Sequence, residues 1–297
     1  MNGRTLLPTK VPWSVDAVIL SIPGRESQLQ QCIESVQDVV DRIILVWNSE
    51  SAPPVIRSSS CYIEVRSAFY NLGVSKGRNF GVEFSNADLV LFIDDDALLE
   101  TRFEFRSRCE KMILDRSCIV TTFKVLDENR VVERQHDPRL FKSQSFQSRF
   151  VGTFLGGACL VRRDSFAAIG GFFEELTYGM EEWDLSLRAH NLGYRIFFDC
   201  SVVLFHPARN AQFSEIYWTN IFTNRMIVAR RNLGLPSRVF HLTIRFILLA
   251  TTQPLLTAFS IAFNARKNSK KVSHAGCKPI RIRTHLKFLK LRRPAFL

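Results

Sequence analysis

Three consecutive carboxylates, Asp94-Asp95-Asp96, follow the apolar run 89–93 and are the clearest chemical feature of this sequence. The run predicts a strand that is buried on both faces, because it contains no polar residue. Carboxylates gathered at the end of such a strand repel one another and resist desolvation, so a cation is the usual reason for placing them there. Oxygen ligands favour Mg²⁺ or Mn²⁺, which commonly bind the phosphates of a substrate. Considered alone, the segment could also be an acidic turn without a ligand.

The segment 71–81 precedes this strand and contains three glycines together with Lys76 and Arg78. Glycines allow the backbone to approach a phosphate closely, and the two basic side chains would supply positive charge. The segment does not match the pattern G-x-x-x-x-G-K-[ST] of a P-loop. Binding of a nucleotide or phosphate and an ordinary glycine-containing turn both remain open on this evidence.

A second acidic cluster contains Glu181, Glu182 and Asp184 and is expected in the first turn of a helix. Acidic residues there can simply complement the helix dipole. Alternatively, one of them is a general base that faces a cleft. His206 follows an apolar run and precedes a proline, so it is either structural or a ligand beside the first carboxylates.

The elements that must position these residues alternate along the chain. Apolar runs at 15–20, 42–47 and 62–66 predict further strands, with one helix expected around 28–36 and a second opened by the segment 71–81 and reaching about Ser85. This alternation predicts an α/β domain with a largely parallel sheet, in which ligands bind at the carboxyl ends of the strands. The acidic triplet lies at such an end.

The order of the motifs is more specific than any one of them. In sequence they are Asn71-x-Gly73, Arg78-Asn79-x-Gly81, Phe92-Ile93-Asp94-Asp95-Asp96, Gly156-Gly157, Gly170-Gly171-Phe172, Glu181-Glu182-x-Asp184-Leu185-x-x-Arg188, Gly193-Tyr194 and His206. This order resembles the family-2 inverting glycosyltransferases of the GT-A fold, including the rhamnosyl- and galactofuranosyltransferase-like branch. The resemblance covers roughly residues 15–235. It implies a Rossmann-like, mostly parallel central sheet flanked by helices, with a nucleotide-sugar half at about 15–100 and an acceptor and catalytic half at about 101–235.

The resemblance also implies a role for individual residues. Asp94, Asp96 and His206 would bind Mn²⁺ or Mg²⁺. Glu182 would be the catalytic base that deprotonates the acceptor hydroxyl, with Glu181 as the less favoured alternative. The implied donor-binding residues are Arg25, Asn48, Asn71, Gly73, Arg78, Asn79, Asp94 and Asp95, and the implied acceptor-side residues are Gly156, Gly157, Trp183 and Asp184.

Two positions depart from the family pattern. Glu182 is one methylene longer than the aspartate usual at that place, and the adjacent Glu181 keeps the identity of the base open. Trp47 stands where many relatives have an acidic residue that reads uracil. The donor base is therefore left open among uridine, deoxythymidine and guanosine.

The charge of the chain is concentrated in its last part. The net charge is +12, but residues 1–215 carry a net −4, whereas 216–297 contain 16 basic residues and no acidic one. This distribution predicts docking of the tail on an anionic surface and no nucleic-acid partner.

The predicted membrane-associating tail comprises residues 236–297 and has two notable segments. Phe246–Phe263 is uncharged and 18 residues long, with only 12 apolar residues, so it is expected to lie at a membrane interface, with a membrane span or a buried hairpin as alternatives. Ile282, Leu286 and Leu289 share one face of a basic amphipathic helix that would suit anionic lipid headgroups.

The remaining expectations concern location and activity. The seven cysteines form no CxxC pair, and residues 1–13 contain no apolar signal-peptide core, which together predict a cytoplasmic protein. With the basic tail, the protein is expected to associate peripherally with the inner face of the membrane. The predicted activity is metal-dependent, inverting sugar transfer from a nucleoside-diphosphate donor to a hydroxyl of a lipid-linked or cell-envelope glycan. The alternatives are a nucleotidyltransferase and a non-enzymatic basic module that binds membranes or nucleic acid.

Overall fold

The structure, a computed structural model, describes residues 13–132, 147–208, 214–273 and 278–291. Its strands are β1 (Val15–Ser21), β2 (Arg42–Trp47), β3 (Tyr62–Ser67), β4 (Leu89–Asp94), β5 (Leu98–Leu99), β6 (Cys118–Leu126), β7 (Arg149–Val151), β8 (Ala158–Arg162) and β9 (Arg195–Phe205). Its helices are α1 (Glu26–Val36), α2 (Val74–Glu83), α3 (Arg102–Leu114), α4 (Arg163–Ala168), α5 (Glu181–Asn191), α6 (Glu215–Asn232), α7 (Leu235–Thr252), α8 (Leu255–Ser269) and α9 (Ile282–Lys290).

The strands form one mixed sheet in the order β3-β2-β1-β4-β8-β6-β9-β5, with β7 paired to β9. The four strands from β3 to β4 are parallel, as the sequence predicts. Beyond them, β8 runs antiparallel to both β4 and β6, so the second half of the sheet is mixed rather than parallel.

Both faces of the sheet are covered by helices. Along β1, Ala17 and Ile19 pack with α1 and α3, whereas the intervening Val18 packs on the other side with α2, α4 and α5. Side chains alternate between the faces of a strand, so burial on both faces explains why these strands are apolar without interruption. The six cysteines of the described part of the chain are free thiols.

The strand ends bring the chemical motifs together. β1 and β4 are parallel neighbours, with Leu20 opposite Asp94, so the acidic triplet lies beside the end of β1. β5 pairs with the end of β9, where Leu98 lies opposite Phe205. This pairing places His206 next to the turn that carries the triplet, although more than a hundred residues separate them in sequence.

The predicted tail is partly packed on the domain. The stretch Phe246–Phe263 is interrupted at Gln253–Pro254, between α7 and α8, and one side of α8 is buried against α6. Within the described residues, no helix combines the length and the apolar character that a membrane span requires.

Helix α9 packs on the domain through one face and leaves exposed the face that the sequence predicts to bind anionic lipid, which remains a prediction. It packs on α5 through Phe288, whose ring centroid lies 4.8 Å from that of His190. Thr284 is buried beside it and donates a hydrogen bond to Asn191. The apolar side chains of Ile282, Leu286 and Leu289 stay exposed.

Candidate functional site

Asp94, Asp96 and His206 form a compact set of possible metal ligands. The Nε2 atom of His206 lies 3.3 Å from Asp96 Oδ1 and 3.7 Å from Asp94 Oδ2, and one ligand atom from each residue lies within 4.8 Å of the other two. The other ring nitrogen of His206, Nδ1, lies 2.9 Å from the carbonyl oxygen of Pro207, which orients Nε2 towards the carboxylates.

The surroundings of the three residues fit a divalent cation. Asp96 Oδ1 is buried and receives no hydrogen bond, so its charge is available to an ion. Burial lowers the pKa of His206, but the hydrogen bond and charge of Asp94 and the charge of Asp96 outweigh it and raise that pKa overall. Two carboxylate oxygens and one imidazole nitrogen suit Mn²⁺ and are compatible with Mg²⁺.

Asp95 faces away from this set and holds Arg25. Its Oδ2 accepts a hydrogen bond of 2.6 Å from the hydroxyl of Ser21, and its Oδ1 accepts one of 2.7 Å from Arg25 Nη1. Burial raises the pKa of Asp95, and the bonds from Ser21 and Arg25 oppose that rise. The same Arg25 nitrogen lies 3.2 Å from Asp96 Oδ2, so Asp95 positions a positive charge at the edge of the metal set.

Arg78 connects the acidic triplet to the second acidic cluster. It is buried, and its Nη2 donates a 2.9 Å hydrogen bond to Asp94 Oδ1. Its Nη1 lies 3.4 Å from Glu181 Oε1. Burial lowers the pKa of Arg78, but the charges of Asp94, Glu181 and Glu182 raise it overall, so the guanidinium remains a fixed cation.

Glu181 and Glu182 begin α5, directly after two residues with positive φ, Gly179 and Met180. The Oε1 atom of Glu182 accepts a 3.1 Å hydrogen bond from the backbone N–H of Gly156. Glu181 is 3% exposed, and its Oε2 is buried without a hydrogen-bond partner. Burial raises the pKa of both glutamates, and Arg78 opposes that rise. A carboxylate with a raised pKa is a better proton acceptor near neutral pH.

Two cavities meet at Asp94 and Arg78. The first has a volume of about 430 Å³ and extends from the acidic triplet over the ends of β1 and β2. The second, of about 260 Å³, contains both glutamates and His206. Val74, Arg78, Asp94 and Tyr178 line both. The arrangement allows two bound molecules to meet at the metal set.

Most of the predicted donor-binding residues line the first cavity. They are Arg25, Asn48, Asn71, Gly73, Arg78, Asp94 and Asp95. The side chains of Asn48 and Asn71 are hydrogen-bonded to each other at 3.0 Å. Gly73 has a φ of +76°, and a Cβ there would lie 2.7 Å from the carbonyl oxygen of Thr177, so no larger residue fits. Asn79 is placed elsewhere, since its amide bonds the backbone N–H and carbonyl of Phe172.

The predicted acceptor-side residues fall into two groups. Gly157 lines the second cavity, and a Cβ at this position would collide with the carboxylate of Asp94. Gly156 lies next to it, and its backbone N–H donates a hydrogen bond to the carboxylate of Glu182. These glycines leave room for the two carboxyl groups.

Trp183 and Asp184 do not line either of these cavities. Trp183 stacks on His241 of α7, with ring centroids 4.7 Å apart. Asp184 is fully buried and accepts bonds from Arg188, Arg231 and Asn232. With 3.6 residues per turn, Asp184 projects about 200° away from Glu182 and therefore faces α6 instead of the cleft.

Sequence reasoning did not find Ser21, Tyr178 or Tyr217. Ser21 ends β1 beside the acidic strand, so its position at a parallel strand end was the available signal. Tyr178 and Tyr217 both line the second cavity, with ring centroids 6.2 Å apart. No motif links them, because Tyr217 reaches the cavity only through the packing of α6.

The family assignment agrees with this geometry. The model of Glycosyl transferase family 2 matches residues 17–170, more than half of the chain, and the protein belongs to that family. This confirms the predicted family, and the structure confirms the predicted α/β class with a central sheet flanked by helices. No curated protein sequence matches the chain.

Solved structures show the same GT-A fold. One is a crystal structure of GalNAc-T7 with UDP, GalNAc and Mn²⁺, with a TM-score of 0.62 and 12% identity over 92% of this chain and 56% of that one. A second is the mannosyltransferase PcManGT from Pyrobaculum calidifontis in complex with GDP-Man and Mn²⁺, with a TM-score of 0.52 and 12% identity over 95% and 83%. A third is S. aureus TarS 1-349 in complex with UDP-GlcNAc, with a TM-score of 0.52 and 13% identity over 94% and 79%. The chain thus spans little more than half the length of GalNAc-T7.

Proposed function

We propose that this protein is a metal-dependent, inverting glycosyltransferase that moves a sugar from a nucleoside-diphosphate donor to a hydroxyl acceptor. The observation that carries the proposal is the meeting of two cavities at Asp94, with the metal-ligand set at their junction and two glutamates lining the second cavity. Family membership and the neighbours solved with UDP or GDP-Man and Mn²⁺ support a nucleotide-sugar donor.

The first cavity is suited to the donor. Asp94, Asp96 and His206 would hold the cation, which when bound withdraws charge from the departing diphosphate. Arg25, held by Asp95, adds a positive charge beside that position. Asn48 and Asn71 lie further along the cavity, where the nucleoside would be bound.

Trp47 is not among the residues that line the donor cavity. Its ring is buried, and its Nε1–H donates to the carbonyl of Ser51. Uridine, deoxythymidine and guanosine donors therefore remain equally suited. Within the family, the motif order supports the rhamnosyl- and galactofuranosyltransferase-like branch.

The second cavity is suited to the acceptor. Glu182 would take the proton of the acceptor hydroxyl, while the N–H of Gly156 keeps its carboxylate in place. Attack from this cavity on a sugar whose diphosphate is bound in the first cavity would come from the side opposite the leaving group and would invert the anomeric centre. Glu181 is the alternative base, but it is less accessible and lies against Arg78.

The acceptor is proposed to be a lipid-linked or cell-envelope glycan. The protein would be cytoplasmic and would bind the inner face of the membrane through its basic tail, residues 236–297. The support is the absence of acidic residues after Glu215, together with 16 basic ones in 216–297, because such a segment is attracted to anionic lipid surfaces.

Release of nucleoside diphosphate from UDP-, dTDP- and GDP-sugars in the presence of Mn²⁺ tests the activity. We expect release from at least one donor and its loss when the metal is chelated. Release of pyrophosphate from a nucleoside triphosphate and a sugar phosphate would instead identify a nucleotidyltransferase. Failure of every donor, in the presence of a panel of lipid-linked and soluble acceptors, would contradict the proposal.

A further inference from the structure

The hairpin of α7 and α8 has a large exposed apolar surface. Leu256, Phe259 and Phe263 lie on one face of α8 and are 85%, 55% and 71% exposed. Phe259 contacts Phe246 of α7, with ring centroids 5.0 Å apart, and Ile247 of α7 is also exposed. We call Leu256, Phe259, Phe263, Ile247 and the exposed Leu248 the hairpin face.

The packing of the hairpin does not account for this surface. The other side of α8 is already apolar and buried, with Ala258, Ile261 and Ala265 packed against Phe222 of α6 and Leu249 of α7. Helix α8 is therefore apolar on two sides and needs only one of them for the fold. Contiguous exposed apolar patches on soluble proteins usually mark a binding surface.

Positive charge continues the same face of α8. Arg266, Lys267 and Lys270 are exposed and follow Phe263 at helical spacing. Arg266 and Arg238 each lie near Arg230, since burial and the charges of Arg238 and Arg266 lower the pKa of Arg230. In the described part of the chain, none of the three guanidinium groups forms an ion pair with a carboxylate.

The hairpin face adjoins the end of α6 that lines the acceptor cavity. Ser260 of α8 donates a 2.8 Å hydrogen bond to Glu215, the first residue of α6. Tyr217 and Ile221 follow Glu215 in the first two turns of α6 and line the second cavity. Ile216, directly after Glu215, is exposed.

We propose that the hairpin face binds the surface of an anionic lipid bilayer, lying in the interface without crossing it. The apolar side chains would enter the headgroup and acyl boundary, and the basic residues of α8 and the three arginines would contact headgroup phosphates. An anionic bilayer supplies both the apolar medium and the countercharge. A second copy of the chain would add positive charge to positive charge, because the segment after Glu215 has no acidic residue.

This docking would bring the acceptor cavity to the membrane surface. That consequence rests on the proposed function, which predicts a lipid-linked acceptor and membrane binding by the tail; the inference names the surface of the tail that makes the contact. The bilayer contact itself stands on the exposed surface and its charge.

Vesicle co-sedimentation of the full chain tests the inference, with phosphatidylcholine vesicles and vesicles that also contain phosphatidylglycerol. We expect binding to the anionic vesicles, and less binding at high salt. Replacing Leu256, Phe259 and Phe263 by Ser should lower partitioning about tenfold or more, since each loses apolar area that the bilayer would bury. The matched control is Phe103→Ser with Leu114→Ser, two residues of α3 that are 81% and 84% exposed, which should bind as the unchanged protein does.

A charge variant separates the electrostatic part. Arg266→Gln with Lys267→Gln should reduce binding to the anionic vesicles about tenfold at low salt, and the reduction should be smaller at high salt, which screens the charges. Lys111→Gln with Arg116→Gln, at two exposed positions outside the hairpin, removes the same charge and should change binding much less.

Equal vesicle binding by the unchanged protein and the triple Ser variant would overturn the inference. So would light scattering that shows a dimer in the unchanged protein and a monomer in that variant, with vesicle binding unaffected, because a second copy would then occupy the face. Circular dichroism confirms folding of each variant. Vesicle binding without turnover of any donor would count against the proposed sugar transfer alone, whereas turnover of a soluble acceptor without vesicle binding would count against the docking alone.

Discussion

At the scale of residues, three adjacent carboxylates have three different environments. Asp94 lies against Arg78 and His206, Asp95 is bound by Ser21 and Arg25, and Asp96 keeps a buried oxygen without a hydrogen bond. The sequence predicts that such a cluster binds a cation, because uncompensated like charges are unfavourable. It could not assign Asp95 to Arg25, since 70 residues separate them and only the sheet brings them together.

The identity of the base is tested by comparing two isosteric variants. Glu182→Gln should retain binding of the nucleotide and metal but lower turnover about 10²–10⁴-fold, the usual effect of losing a general base. Glu181→Gln should have the smaller effect, because that carboxyl lies against Arg78 and is less accessible. The kcat of each variant with saturating donor is the measurement. A larger loss in Glu181→Gln would move the base by one residue.

The pH dependence of turnover follows from the burial of Glu182. Its pKa is raised, chiefly by burial, so the carboxyl stays protonated and inactive to a higher pH than an ordinary glutamate. The rate should therefore rise with pH through a limb that lies above the usual glutamate range of about 4.3. This limb should disappear from the residual activity of Glu182→Gln. A rate that is independent of pH from about 4 to 8 would exclude a buried glutamate base.

At the scale of elements, the sequence predicted the parallel half of the sheet because continuous apolar runs are typical of strands covered on both faces. The mixed half was missed, since no local pattern shows that β8 inserts antiparallel between β4 and β6. The packing of α9 was not predicted either. The helix packs through Thr284 and Phe288, which only the adjacent α5 reveals, while Ile282, Leu286 and Leu289 stay exposed, so their predicted contact with lipid headgroups remains a prediction.

Helix α5 should depend on Asp184 for its attachment to α6. Its buried carboxylate is paired with Arg188 and Arg231, and removing one partner of such a network typically costs about 3–5 kcal/mol. Asp184→Ala should lower the free energy of unfolding by about this amount in urea titrations. Asp164→Ala, at an 80% exposed carboxylate of α4, is the control and should change it little. A raised KM for the acceptor at unchanged stability would restore the acceptor-side role that the sequence suggested.

At the scale of the whole molecule, charge and apolar surface are separated from the catalytic residues. The two acidic clusters lie at the catalytic site, whereas the part of the chain after Glu215 has basic but no acidic residues and carries the hairpin face. The sequence predicted this separation from charge counts alone. It did not show that α6 joins the two regions, because that contact depends on the packing of α8 against α6.

The most direct test of the central claim is calorimetric titration of nucleoside diphosphates in the presence of Mn²⁺. The unchanged protein and the control Asp164→Ala should bind at least one nucleoside diphosphate only when the metal is present. Asp96→Ala should lose this metal-dependent binding while its circular dichroism stays unchanged, because the variant removes a carboxylate of the metal-ligand set whose Oδ1 accepts no hydrogen bond. Undiminished, metal-dependent binding by Asp96→Ala would contradict the account.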